Sequence, residues 1–242
     1  MRTFAAVTTM NKAYYDLIGH KMVQSFIKYW PKSVTLYVMT EGFDIPDRAD
    51  NLVSMDIYET CNPQLQNFLD WRGTHFTRKF TYKAYAWINA CKMLTQDVLI
   101  YLDADSETHA PVPATFLENI LPRNSIISYM YAPATRPTGE PVDNAETCIY
   151  FFNNQHPFAK TFMERYEHIY ESKEISDSYK FCKPHDTWVI ADCVKLAESN
   201  NVRVTNLAPQ KKHLSPIGKT VLSQYFSHAK GKRKYKENES TQ

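Results

Sequence analysis

The sequence predicts an α/β domain built on a largely parallel sheet with helices on both faces. Three observations point there. Strand-like and helix-like periods alternate along the 242 residues, the pattern of βα units. The run Val98-Leu99-Ile100-Tyr101-Leu102 is apolar at every position, as a strand buried on both faces must be. A hydrophobic content of 43%, with 14% aromatic residues, fills one sizeable core.

Taken in order, Thr3 to Thr9 reads as the first strand. Asn11 is a cap for a helix in which Tyr14, Ile18, Met22, Phe26 and Trp30 recur every four residues, closed by Pro31. Val34 to Met39 and Leu52 to Ile57 follow as strands. A helix from Thr77 to Leu94, with Phe80, Ala84, Ile88 and Cys91 on its buried stripe, leads into the Val98 strand. Then come a helix at Pro113 to Leu121, a strand at Ile126 to Tyr131, a loop rich in Pro and Gly, and a strand at Cys148 to Phe152. Helices at Pro157 to Glu171 and Asp186 to Glu198 and a short strand at Val202 to Leu207 complete the alternation. A single domain over 1–229 with a basic, polar tail over 230–242 is expected, without internal repeats.

The formal charge of +2 is nearly balanced, so only the C-terminal basic cluster suggests a polyanionic partner. Cys61, Cys91, Cys148, Cys182 and Cys193 show no C-x-x-C spacing and read as reduced core residues of a cytoplasmic protein. No signal-peptide pattern precedes the first strand, and no apolar run approaches the ~20 residues of a membrane span. A cytoplasmic location is therefore expected.

The apolar run Val98 to Leu102 ends abruptly in Asp103-Ala104-Asp105. Carboxylates are too costly to bury unpaired inside such a strand, so both belong at its end, facing a ligand or water. Two oxygen donors this close suit Mn²⁺ or Mg²⁺ carrying a diphosphate. An ordinary turn or cap before Ser106 explains them equally well. Far along the chain, His228, Gly231 and Lys234 stand at three-residue intervals: an imidazole able to complete a metal site, a glycine permitting close approach to phosphate, and a cation for diphosphate charge. A solvated tail accounts for Lys230, Lys232, Arg233 and Lys236. His228, however, follows Val221-Leu222 and Tyr225-Phe226, which should anchor it.

D-x-D at a strand end combined with H-x-x-G-x-x-K resembles the nucleotide-sugar glycosyltransferases of the GT-A fold, particularly the glycogenin-like retaining branch, from the first strand to about Lys234. The resemblance implies a GT-A (Rossmann-like) fold with a mixed, mainly parallel sheet. Asp103 would touch the ribose and the metal, Asp105 and His228 would be metal ligands, and Gly231 and Lys234 would hold the diphosphate. The family's motif usually continues Lys-Pro-Trp, whereas Tyr235 and Lys236 follow Lys234 here, which leaves both stereochemical outcomes open.

Further positions fit the same site, each with a plainer alternative. Thr8, Thr9 and Tyr14 stand where such folds hold a base, and equally serve a turn and an apolar stripe. Arg78, Lys79 and Lys83 read as a solvated helix face, but early cations oppose the helix dipole and a local anion would offset that. The resemblance implies a basic residue of this segment near the donor, Lys83 or Arg78. Asp186 shares a helix face with Val189, Ile190 and Cys193, so it is either a cap or a carboxylate at the reaction centre, with Glu146 as its rival. Asn153 is a candidate for sugar hydroxyls, and His185 and Trp188 for the acceptor.

The function expected is metal-dependent transfer of a sugar from a nucleotide diphosphate sugar, uridine-linked by preference, to a hydroxyl. The expected acceptor is a hydroxymethylated DNA base, as for phage enzymes of this resemblance, or a glycan. A nucleotidyltransferase or phosphohydrolase would need more carboxylates and a Gly-rich phosphate loop, and the chain has six glycines with no such loop. A non-catalytic nucleic-acid binder accounts for the tail but not for D-x-D.

Overall fold

A computed structural model describes residues 1–61, 63–72, 75–131, 134–135, 141–142, 144–172, 186–208 and 217–229. The first strand, β1 (Phe4–Met10), is followed by α1 (Lys12–Tyr14), a π-helical stretch Tyr15–Gly19, and α2 (His20–Tyr29). Next come β2 (Thr35–Thr40), β3 (Leu52–Asp56), α3 (Ile57–Cys61), α4 (Gln64–Arg72), α5 (His75–Met93) and β4 (Val98–Leu102). The middle of the chain forms β5 (Ser106–Thr108), α6 (Ala114–Ile120), β6 (Ser125–Tyr131), β7 (Ala134–Thr135), β8 (Pro141–Val142) and β9 (Ala145–Asn153). It closes with α7 (Ala159–Glu171), α8 (Asp186–Ser199), β10 (Arg203–Asn206) and β11 (Phe226–His228).

Seven strands form one sheet in the order β10-β6-β9-β4-β1-β2-β3. Its pairings are parallel except for β9, which runs antiparallel to both β4 and β6. Alternation along the central strands feeds two cores. Ala5, Val7, Leu99 and Tyr101 pack with α5, α7 and α8 on one face. Phe4, Ala6, Val98, Ile100 and Leu102 pack with α2 and α6 on the other. This is why β4 is apolar at every position.

The first helical segment departs from the every-fourth-residue reading. Met22, Phe26 and Trp30 are buried as expected, but upstream of them Tyr15 and Gly19 are buried in place of Tyr14 and Ile18. The wider π turn rotates the buried face by one residue. Gly19 fits because an added Cβ would stand 2.6 Å from Met10 Sδ. Asn11 caps as expected, its Oδ1 accepting from Tyr14 N–H at 2.8 Å. The elements α3, α4, β5 and β11, and the strands β7 and β8 inside the stretch expected to be a loop, are too short or too weakly periodic to be read from the sequence. No helix among the described residues is long and apolar enough to cross a membrane.

Candidate functional site

The site forms where β4 ends. Asp103 N–H continues the ladder to Cys148 O on β9 at 2.8 Å, and Ser106 N–H donates to Asp103 O at 2.8 Å, so the chain turns tightly around Ala104. The turn delivers β5, and antiparallel β11 pairs with it, setting His228 opposite Ser106. Ala229 N–H closes the ladder on Asp105 O at 3.1 Å. A small two-stranded sheet thus joins the two distant motifs.

His228 Nε2 lies 2.9 Å from Asp105 Oδ1 and 3.8 Å from Asp103 Oδ2. A carboxylate can only accept, so Nε2 carries the proton in this arrangement. Tyr14, half-buried against the core, donates its hydroxyl to Asp105 Oδ2 at 2.9 Å. Donor atoms of Asp103, Asp105 and His228 all lie within 4.8 Å of one another, a compact set of two carboxylates and an imidazole that fits a divalent cation.

Lys83 stands beside this cluster. Its Nζ donates to Asp103 Oδ1 at 2.6 Å and to Thr147 O and Oγ1 at 2.9 and 3.0 Å. It is ion-paired with Asp186 Oδ2 at 2.8 Å and stands 4.6 Å over the Tyr101 ring. Burial disfavours the Lys83 charge, but Asp103 and Asp186 outweigh that and raise its pKa well above the usual lysine value. Burial pushes the Asp103 carboxyl up, Lys83 pulls it back, and neighbouring Asp105 adds to the rise. The cation lies about two turns into α5, on the stripe of fully buried Trp87 and Ala90. Its counter-charges are therefore these carboxylates and not the helix terminus. A cavity of about 310 Å³ opens over the cluster, lined by Tyr14, Lys83, Asp103, Asp105, Glu146 and Asp186 among others.

Among the expected site residues, Asp103, Asp105, His228, Lys83, Asp186, Glu146 and Tyr14 converge here. Asp186 is the first residue of α8 and only 1% exposed. Tyr14 differs from expectation in that its hydroxyl is held by a carboxylate. Thr8 and Thr9 do not line the cavity: Thr8 is fully buried in the sheet, and Thr9 Oγ1 donates to Met39 O. Asn153 is corrected outright. Because β9 runs antiparallel to β4, Asn153 pairs with Val98 at the opposite end of the sheet, and its amide donates to Arg123 O and Ser125 O. Trp188 is half-buried. The side chain of Arg78 and all of His185, Gly231 and Lys234 lie outside the described residues.

Thr147 was missed, and nothing in its flanking sequence marks it. Lys83 carries a sequence signal of its own, since it stands four residues before Trp87 on an apolar stripe.

No protein-family model and no curated protein matches this sequence. Among solved structures, apo mouse xyloside xylosyltransferase 1 is similar at 12% identity and a TM-score of 0.53, over 84% of each chain. The apo bifunctional glycosyltransferase WbbM is similar at 13% identity and a TM-score of 0.50, over 86% of this chain and 39% of that one. At such identities the likeness is one of fold, and the mixed, mainly parallel seven-stranded sheet flanked by helices is a GT-A, Rossmann-like fold.

Proposed function

We propose that the protein is a glycosyltransferase that moves a sugar from a nucleotide diphosphate sugar, uridine-linked by preference, to a hydroxyl acceptor. One observation carries the reading. At the end of β4, in a GT-A-type fold, Asp103, Asp105 and His228 gather compactly beside a buried Lys83–Asp186 pair. Fold alone would leave the chemistry open.

In this reading Asp103, Asp105 and His228 Nε2 hold Mn²⁺ or Mg²⁺. When bound, the metal supplies charge neutralisation for the departing diphosphate. Tyr14 orients Asp105. Gly231 and Lys234 hold the diphosphate, as the sequence motif implies for the glycogenin-like branch. Lys83 fixes Asp103 and Asp186 in a single geometry before the donor arrives, so little reorganisation accompanies bond cleavage. Asp186 and Glu146, both on the cavity wall, are the carboxylates available to the sugar and the acceptor hydroxyl. If the reaction inverts, one of them takes the hydroxyl proton; if it retains, the departing phosphate takes it. The acceptor favoured by the basic run around Lys230 and Arg233 is a hydroxymethylated DNA base, as in a phage enzyme, with a glycan as the rival.

The test is a melting-temperature panel of nucleotide sugars with and without Mn²⁺, followed by detection of released nucleotide diphosphate. A donor that binds only the folded protein raises the Tm in proportion to RT ln(1 + [L]/Kd). A Tm rise that needs both metal and a nucleotide sugar is expected. Nucleotide transfer, or no response to any donor, overturns the reading.

A further inference from the structure

His228 has two ring nitrogens, and the site above uses one. Nε2–H faces Asp105 at 2.9 Å. Nδ1 is buried and has no hydrogen-bond partner among the described residues, in a side chain only 7% exposed. With the proton on Nε2, the lone pair of a neutral ring sits on Nδ1. A buried, unpartnered acceptor is costly and calls for an explanation.

On the neighbouring strand β9, Glu146 and Cys148 are two residues apart. Donor atoms of Glu146, Cys148 and His228 lie within 4.8 Å of one another. We propose that these three residues form a second, thiophilic metal site for Zn²⁺, distinct from the carboxylate-rich set and sharing His228 with it.

Sulfur, imidazole nitrogen and one carboxylate oxygen make a set that favours Zn²⁺ over Mn²⁺ or Mg²⁺. Tetrahedral bonds of about 2.0–2.3 Å put donor atoms roughly 3.3–3.6 Å apart. Closing from the observed spread requires about 1 Å of side-chain adjustment. The fourth position is left for water. The Nε2–H bond to Asp105 then becomes the carboxylate–histidine contact that ordinarily fixes the tautomer of a zinc-bound imidazole. Binding converts the Cys148 thiol to thiolate and releases its proton to solvent.

Packing alone accounts for Cys148 as a small apolar residue in the core beside Leu102 and Ile149. It does not account for the bare Nδ1. In this proposal the unpartnered Nδ1 is the ring nitrogen that joins Cys148 and Glu146 while Nε2 serves the Asp103–Asp105 set, so the choice of metal becomes a choice of histidine tautomer, and zinc occupancy excludes the other arrangement. The inference stands whether or not the protein transfers sugars.

Co²⁺ replaces Zn²⁺ as a visible probe on the full chain. One equivalent should give a thiolate-to-cobalt charge-transfer band in the near ultraviolet, bleached by Zn²⁺. Cys148→Ala and His228→Ala should abolish the band, whereas Cys91→Ser and Asp103→Asn should leave it. Glu146→Gln, at a half-buried position, should weaken Zn²⁺ binding by about tenfold or more. Absence of the band in the unmodified protein overturns the site whatever the variants do. So does a band that survives Cys148→Ala or His228→Ala.

Discussion

Replacing Lys83 by Met tests the electrostatic core of the site directly. The ammonium is 2.6 Å from Asp103 and 2.8 Å from Asp186, with side-chain exposures of 9%, 25% and 2% for the three residues. Removing it leaves the buried Asp186 and the half-buried Asp103 without their shared cation and takes a donor from two acceptors on Thr147. Breaking a buried pair in this way costs about 3–5 kcal/mol, because the remaining charge stays buried. For a chain of this size each kcal/mol lowers Tm by about 2–4 °C, so a fall of about 6–20 °C is expected. A double-mutant cycle isolates the mechanism. Asp186→Asn in the Lys83→Met background removes one of the stranded charges, so the double variant should be more stable than the sum of the single losses predicts, by about 2–3 kcal/mol. Urea denaturation of the four proteins, read by far-UV circular dichroism, measures it. Additivity within about 0.5 kcal/mol, or a Lys83→Met loss below about 1 kcal/mol, would refute the claim that Lys83 neutralises these carboxylates.

Asp105→Asn should keep the fold while reducing Mn²⁺ affinity and sugar transfer by orders of magnitude, as read by metal titration and product formation; full turnover in EDTA would be incompatible with it. Tyr14→Phe removes one hydrogen bond to Asp105 and should weaken Mn²⁺ binding by about 10–100-fold, with donor turnover recovering at high metal concentration. Burial, opposed by a hydrogen bond with Asn11, pushes the Glu41 carboxyl from its ordinary 4.5 up to about 7. The folded state then holds that proton more tightly than the unfolded chain, so the stability it confers is present below pH 4.5 and lost as pH rises through 7. The loss is about 1 kcal/mol after allowance for solvent screening, and Glu41→Gln should flatten it in denaturation curves taken across that window. Truncation after Tyr235 with neutralisation of Lys230, Lys232 and Arg233 should weaken binding of modified DNA and flatten its salt dependence, with donor hydrolysis retained.

What the sequence made legible was local. The apolar run before Asp103 identified both the central strand and the end at which its charges emerge, because a strand buried on two faces tolerates carboxylates only at its terminus. Asp186 stood out as a carboxylate on an apolar helix face, and the structure supplies its buried partner. Pairings carried by three-residue ladders left no such mark. β5 and β11 are too short for any periodicity, yet they bring His228 across 123 positions to Asp105. The π turn was equally invisible, since apolar residues every four positions fit a regular helix. Beside that irregularity Tyr14 both packs against the core and supports Asp105.

Strand direction decided the rest. A strict alternation of strands and helices implies parallel neighbours, and a parallel β9 would have put Asn153 beside Asp103. With β9 reversed, the beginning of that strand faces the end of β4, so Glu146, Thr147 and Cys148 arrive at the site while Asn153 goes to the far end of the sheet. The reversal is what gives Lys83 its two acceptors on Thr147 and sets a thiol beside Glu146 and His228. Single-strand composition cannot report it, because Cys148 to Phe152, with adjacent strands on both sides, is buried throughout in either direction. The side chains available around Asp103 therefore depend on one topological choice: β9 contributes its polar start to the cavity and its apolar body to both cores.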